Sequence, residues 1–272
     1  MLSTQQRAPS SVTGTFDPRA APDPSLPDLS KLPPAPRRPV QWRRAWKQVE
    51  LIWEGRPENL LDAAYAIKDA LGGPTDERLL RRVLDESVGR RVVARRAALP
   101  ALLADHASLG AMPEGSLGRE YLAFAVRHGL NAAKLVDSEH RMSRDFGHLD
   151  PLRQWFSDRL TVLHDLWHVL AGYDATPPGE SAIICFSIPQ GLRYRPMPVF
   201  VVMLLLARHL TPLRAFEAFR RGRRAVFLSA QPFEELLTEP LDLVRRRLGI
   251  GPPRRDHPGR LPEALLIPES AS

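Results

Sequence analysis

Apolar residues recur along most of the chain at intervals of three and four. Trp42, Trp46, Val49 and Trp53 lie at spacings of four, three and four, with Arg43, Arg44 and Lys47 on the other side. This stripe predicts an amphipathic helix that buries three indoles. Leu60, Leu61, Ala64, Tyr65, Ile67 and Leu71 form a second stripe after Pro57-Glu58, and Gly72-Gly73 stops it. Pro74-Thr75-Asp76 opens a third helix with Leu79, Leu80, Val83 and Leu84 inward. A fourth is expected from Arg90 to His106, bent at Pro100. Gly115-Ser116 supplies a cap for a helix with Leu117, Tyr121, Phe124 and Ala125, which Gly129 ends. Leu152 to Gly172 is one long helix, started by Asp150-Pro151 and closed by Gly172. No stretch alternates with period two for long. The expected fold class is all-α, a single multi-helix domain.

Nine prolines among Ser, Thr, Ala and Asp mark residues 1–39. Such a segment cannot bury enough apolar surface to offset its ordering entropy. The boundaries read as a proline-rich tail over 1–40, a helical domain over 41–250, and a flexible C-terminal tail over 251–272 from Gly251-Pro252-Pro253. The most apolar run, Met197 to Ala207, is near half the about 20 residues that a membrane span needs, so a buried core helix is expected. No apolar stretch follows Met1, which argues against a secretory signal. One cysteine, Cys185, excludes an internal disulfide and a Cys-based zinc finger, and suits a reducing compartment. Net charge is +7, compatible with an anionic partner without requiring one. No aromatic residues interleave the basic sequence, so nucleic acid gains no support as a partner.

The chemistry concentrates near the end of the 152–172 helix. At about 100° per residue, His168 lies about 40° around the axis from His164 and about 6 Å along it. Asp165 stands between them in sequence, and Leu163, Leu166, Trp167, Val169 and Leu170 surround all three. Two imidazoles and a carboxylate in apolar surroundings are costly unless they are paired or hold a cation. Thr176-Pro177-Pro178-Gly179-Glu180 then starts a new helix. If that helix turns back, Glu180 faces the histidines. Imidazole with carboxylate suits zinc, iron, manganese or cobalt better than magnesium or calcium. The other histidines, His106, His128, His140, His148, His209 and His257, share no such spacing and are expected at the surface or at caps.

His164-Asp165-x-x-His168, eleven residues, then Glu180, resembles the signature of the Coq4 family of ubiquinone (coenzyme Q) biosynthesis proteins. MPEGSLGREYLAF at 112–124, HDLWHVLAGY at 164–173, Phe186, Gln190, Pro240-Leu241 and Arg245 to Ile250 are similar to family wording too. The likeness spans approximately residues 45–252. Thr161 and Val162 stand where relatives usually carry a basic and an acidic residue, whereas Arg159 is retained. The resemblance implies an all-helical fold and a divalent metal, usually described as zinc, held by His164, Asp165, His168 and Glu180. It implies action at ring C1 of a polyprenylated 4-hydroxybenzoate, where the carboxyl leaves and a hydroxyl arrives. It also implies an organising role among other ubiquinone-biosynthesis proteins at a membrane.

Four ligands would close a zinc site unless one loosens, and Asp165 is the ligand expected to loosen or to act as a base. The substrate's prenyl tail calls for an apolar groove, expected between helix 197–207 and the helices carrying Phe124 and Phe186. Arg221, Arg223, Arg224 and Arg245–Arg247 are candidates for anionic lipid heads. The expected location is cytoplasmic, peripheral to the inner face of the membrane, or the matrix side in a eukaryote. A non-catalytic lipid-binding scaffold clamped by the metal is one alternative. A helical metallohydrolase is another, for which His140, His148 and Asp174 are poor partners. The sequence leaves open whether the chain forms a homodimer.

Overall fold

The computed structural model describes residues 39–53, 60–72, 75–192 and 210–262. The proline-rich segment before Pro39 and the apolar run expected as a core helix over 197–207 lie outside them. The described elements are helices: α1 (Trp42–Trp53), α2 (Leu60–Gly72), α3 (Thr75–Asp85), α4 (Ser87–Arg95), α5 (Leu99–Ala104), α6 (His106–Gly110), α7 (Leu117–His128), α8 (Ala132–Met142), α9 (Pro151–Ala171), α10 (Pro177–Ser187), α11 (Pro212–Arg224), α12 (Phe233–Leu236) and α13 (Leu241–Leu248). Among the described residues β-pairing is limited to isolated bridges, Ser116 with Pro240 and Tyr173 with Arg260. The all-α expectation holds.

Helix α9 is the axis of the fold, packed by α3, α5, α7, α8 and α10. Its start follows from chemistry the sequence carries. Asp150 Oδ1 accepts the amides of Leu152 and Arg153 at 3.1 and 3.2 Å, and Pro151 occupies a position whose amide needs no partner. At the other end Gly172 takes φ +73°, the left-handed turn that spares a Cβ clash. The last carbonyls of α9 are then capped from far along the chain. Arg245 donates to Val169 and Leu170 at 2.9 and 3.1 Å, and Arg221 to Ala171 at 2.6 Å. Both guanidinium groups complement the negative helix end. Arg221 and Arg245 are therefore structural caps rather than lipid contacts.

Other expectations need correction. On α1, Trp42 and Trp46 are 58% and 60% exposed; Ala45 faces inward, and Arg44 is drawn toward the body by Asp69 and by the Met142 carbonyl. The buried stripe is rotated away from the indoles, and the side chain of Trp53 lies outside the description. The helix expected from Arg90 to His106 is two helices. Arg96 adopts φ 45°, and Pro100 starts α5 instead of bending a longer helix. Phe124 and Phe186, whose helices are expected to line a groove with residues 197–207, are themselves fully buried in the core. Helix α11 presses on α10 so closely that a Cβ on Gly222 would overlap the Phe186 carbonyl.

Residues 251–262 are packed rather than loose. The Leu261 amide donates to Gly172 O at 2.9 Å and the Asp174 amide to Gly259 O at 2.9 Å, strapping the chain across the α9–α10 junction. His257, expected at the surface, is buried against Tyr173 with ring centroids 4.9 Å apart. Its Nδ1 accepts the Gly259 amide at 3.1 Å, an arrangement that requires the neutral ring. Burial, with the charges of Arg214 and Arg221, lowers its pKa from 6.5 to about 4. The unfolded chain binds this proton first, so stability is full above about pH 6.5 and declines as pH falls toward 4, by about 3 kcal/mol in total. His257→Gln should flatten that part of the stability profile in denaturant titrations at pH 7.5 and pH 4.5; an unchanged profile would assign the acid sensitivity elsewhere.

Candidate metal centre

His164 and His168 project from the last two turns of α9, and Glu180 from the first turn of α10. One donor atom from each lies within 4.8 Å of the others. The Nε2 atoms of His164 and His168 are 3.2 Å apart, with rings nearly perpendicular at 79°. Glu180 Oε2 is 3.3 Å from His164 Nε2, and Oε1 is 3.4 Å from His168 Nε2. Donors held at about 2.0–2.1 Å from one tetrahedral zinc-like centre are separated by about 3.3 Å, so the spacing fits a single small cation.

Hydrogen bonding fits it as well. His168 Nδ1 faces the Tyr173 carbonyl at 3.2 Å. With the proton there, Nε2 presents its lone pair to the cluster, the arrangement that carbonyl partners impose on ligating histidines. His168 Nε2 and Glu180 Oε1 are then two acceptors facing each other, which a cation between them would reconcile. When no cation is bound and the imidazoles are instead protonated on both nitrogens, burial opposes ionisation of Glu180, but the charge of His168 and hydrogen bonds from both rings hold its pKa well below the usual carboxylate range. Burial also opposes charging His164, and Glu180 and Asp165 outweigh it, leaving that pKa raised. The site is closed behind and open in front. His168 is 1% exposed, whereas the side chains of His164 and Glu180 are 39% and 41% exposed.

Asp165 does not join the three. It is buried beside them, its Oδ2 has no hydrogen-bond partner, and burial raises its pKa to about 6 against the attraction of His164 and His168. Adjacent residues on a helix diverge by about 100°, which separates its carboxylate from the imidazole heads. Tyr121 is likewise buried, with an unpartnered hydroxyl and a pKa raised by burial and by the Asp165 charge.

Sequence reasoning missed the wall contributed by α7. The Phe124 ring stacks on His168 at 5.4 Å and packs on His128 at 4.8 Å. His128 is half-buried, with its Nε2 unpartnered, and burial lowers its pKa. The signal was the i, i+4 pair Phe124 and His128, which places both on one face of α7. The residues around the motif have other duties. Thr161 donates to the Ser157 carbonyl at 3.1 Å, and Val162 is core. Arg159 pairs with Glu234. His140 is held by Asp158 at 2.6 Å, and Asp174 accepts the amide and hydroxyl of Thr176, so neither completes a hydrolase set.

A family model described as "Coenzyme Q (ubiquinone) biosynthesis protein Coq4" matches residues 62–254. The rat "Ubiquinone biosynthesis protein COQ4 homolog, mitochondrial" is 28% identical over 201 residues, 71% of this chain and 72% of the relative. The protein of the same name from Nematostella vectensis is 24% identical over 207 residues, 71% of this chain and 94% of that one. A crystal structure from Nostoc punctiforme PCC 73102, named for ubiquinone biosynthesis, superposes with a TM-score of 0.52 at 16% identity. It covers 78% of this chain and 99% of its own, a likeness of fold.

Proposed function

Because the chain belongs to the Coq4 family of coenzyme Q (ubiquinone) biosynthesis proteins, its role lies in ubiquinone biosynthesis, and we propose that within it the chain replaces the ring C1 carboxyl of a polyprenylated 4-hydroxybenzoate by a hydroxyl. The observation that carries this reading is the convergence of His164, His168 and Glu180 at the open mouth of an otherwise buried helix pair. A divalent metal held by these three, zinc or one of iron, manganese and cobalt, supplies Lewis acidity toward a carboxylate and its neighbouring phenolic oxygen.

The chain's own groups set the rest. The Tyr173 carbonyl fixes the His168 ring, and Phe124 covers its buried face. Asp165, buried behind the histidines with an unpartnered Oδ2, is the group placed to hold a proton there. In the overall change the bond from C1 to the carboxyl carbon breaks, carbon dioxide leaves, and a C–O bond forms. With water as the source of the new hydroxyl oxygen, the change releases two electrons, which molecular oxygen accepts as it is reduced to hydrogen peroxide, so that ArCOOH + H2O + O2 gives ArOH + CO2 + H2O2. The precursor's prenyl chain places the protein at a membrane surface beside other enzymes of the pathway. No described helix is long and apolar enough to cross a bilayer, which suits peripheral attachment. The site also bridges two consecutive helices, and that favours one second reading, a metal clamp in a non-catalytic scaffold.

Gene deletion followed by analysis of lipid extracts tests the step. Accumulation of a C1-carboxylated prenyl precursor with loss of the quinone is expected, and a normal quinone pool would refute the role in this chain. Complementation with Glu180→Ala separates the two readings. A folded variant that leaves the precursor unconverted supports chemistry at the site, whereas loss of the folded protein supports the clamp, and full rescue would count against both.

A further inference from the structure

Most buried arginines of the described chain face carboxylates or carbonyls, as Arg153, Arg159 and Arg221 do. Three on α11 differ. Arg220, Arg223 and Arg224 are exposed, and among the described residues none has an ion pair or side-chain hydrogen bond. At about 100° per residue they share one arc of about 100° with Leu213 and Phe216, which are 62% and 63% exposed. The opposite face, Ala218 and Gly222, is buried against α10. Glu217 borders the arc, but its Oε1 accepts the Arg254 amide. Val226, just past the helix, is a further exposed apolar residue at 40%.

We infer that this face of α11 is the surface by which the protein docks on an anionic lipid bilayer, with Leu213 and Phe216 entering the interface and Arg220, Arg223 and Arg224 meeting headgroups. Two apolar side chains leading three unneutralised guanidinium groups match the layering of an anionic membrane surface. A second copy of the chain is a poor occupant. A two-fold contact would set the same patch against itself, arginine facing arginine. Because α11 packs directly on the helix that carries Glu180, docking there holds the open side of the cluster in a fixed relation to the bilayer. This inference rests on the reading of a membrane-resident prenylated substrate, and it names the surface that reading leaves unspecified.

The test is flotation of the full chain with vesicles of phosphatidylcholine alone or mixed with phosphatidylglycerol. Wild type should float with the anionic vesicles, be released by salt, and bind neutral vesicles weakly. Reversing all three charges (R220E/R223E/R224E) should lower partitioning by roughly 100-fold or more, from about fivefold per arginine near an anionic surface. L213S/F216S should also lose binding, and the arginine-to-glutamine series should fall stepwise. All of these sites are exposed, so the glutamine variants should melt close to wild type; the triple reversal, which puts glutamates in the last turn of α11, should melt slightly lower and is read beside them. If wild type floats and the triple variant floats equally, the membrane reading survives and this surface is wrong. If wild type ignores every vesicle, both fail. Failure of the triple variant to complement under that condition would assign the face to an acidic protein partner instead.

Discussion

Glu180→Gln is expected to lower affinity for a divalent metal by at least about 100-fold, the upper range for losing even an outer partner of a ligand, and to abolish conversion of the carboxylated precursor. The substitution removes one charge and one strong donor from a side chain that is already 41% exposed, so the metal-free chain should stay folded. The contrast lies in linkage. Zinc at about 1,000 times its dissociation constant stabilises a protein that binds it only when folded by about 4 kcal/mol. Wild type should therefore melt well above its chelated form, while Glu180→Gln, left at about 10 times its own dissociation constant, should keep only about 1.4 kcal/mol of that stabilisation. Chelator competition and paired thermal melts read both effects. A variant that retains the full wild-type stabilisation by metal would remove Glu180 from the ligand set and leave the two histidines without their third partner.

How much of this site the sequence discloses depends on the range of the interaction. Helix α9, its Asp150-Pro151 start and its Gly172 stop follow from local rules, and His164 and His168 share a face by spacing alone. Glu180 joins them because two prolines place it in the first turn of the next helix. Asp165 was harder. Adjacent positions diverge around a helix, and only coordinates decide whether a short side chain can reach back. Phe124 and His128 come from α7, some forty residues earlier by sequence number, with nothing in their spacing to name His168 as neighbour. Arg221 and Arg245 meet the end of α9 across comparable distances, and in sequence an arginine that caps carbonyls is indistinguishable from one awaiting a lipid. On α1 a modest rotation of the buried stripe sufficed to expose both Trp42 and Trp46. The break at residues 96–98 lies at Arg96, which takes φ 45° without a glycine there.

Arg159 illustrates such a long-range partnership and carries the second large effect. It is fully buried midway along α9, one turn and a residue before His164. Its guanidinium pairs with both oxygens of Glu234, donates to the Gln231 carbonyl at 2.7 Å, and lies 5.7 Å from the centre of the Trp155 ring. This ties α9 to α12 and the turn before it. Arg159→Met keeps the volume of the stem but strands the Glu234 carboxylate, which is 13% exposed, together with a carbonyl. Breaking a buried pair from one side costs about 3–5 kcal/mol, and at this chain size that lowers the melting temperature by about 10 °C. Arg159→Lys should recover little, because an ammonium cannot reproduce the two-pronged contact. Arg159→Met with Glu234→Leu should recover most of the loss, since an apolar pair needs no compensating charge. Thermal melts of wild type, Arg159→Met, Glu234→Leu and the double variant close the cycle: near-additive losses would mean that the pair is not the clasp. Recovery in the double variant would also restore the rigid seat of the histidines, and metal affinity should return with it.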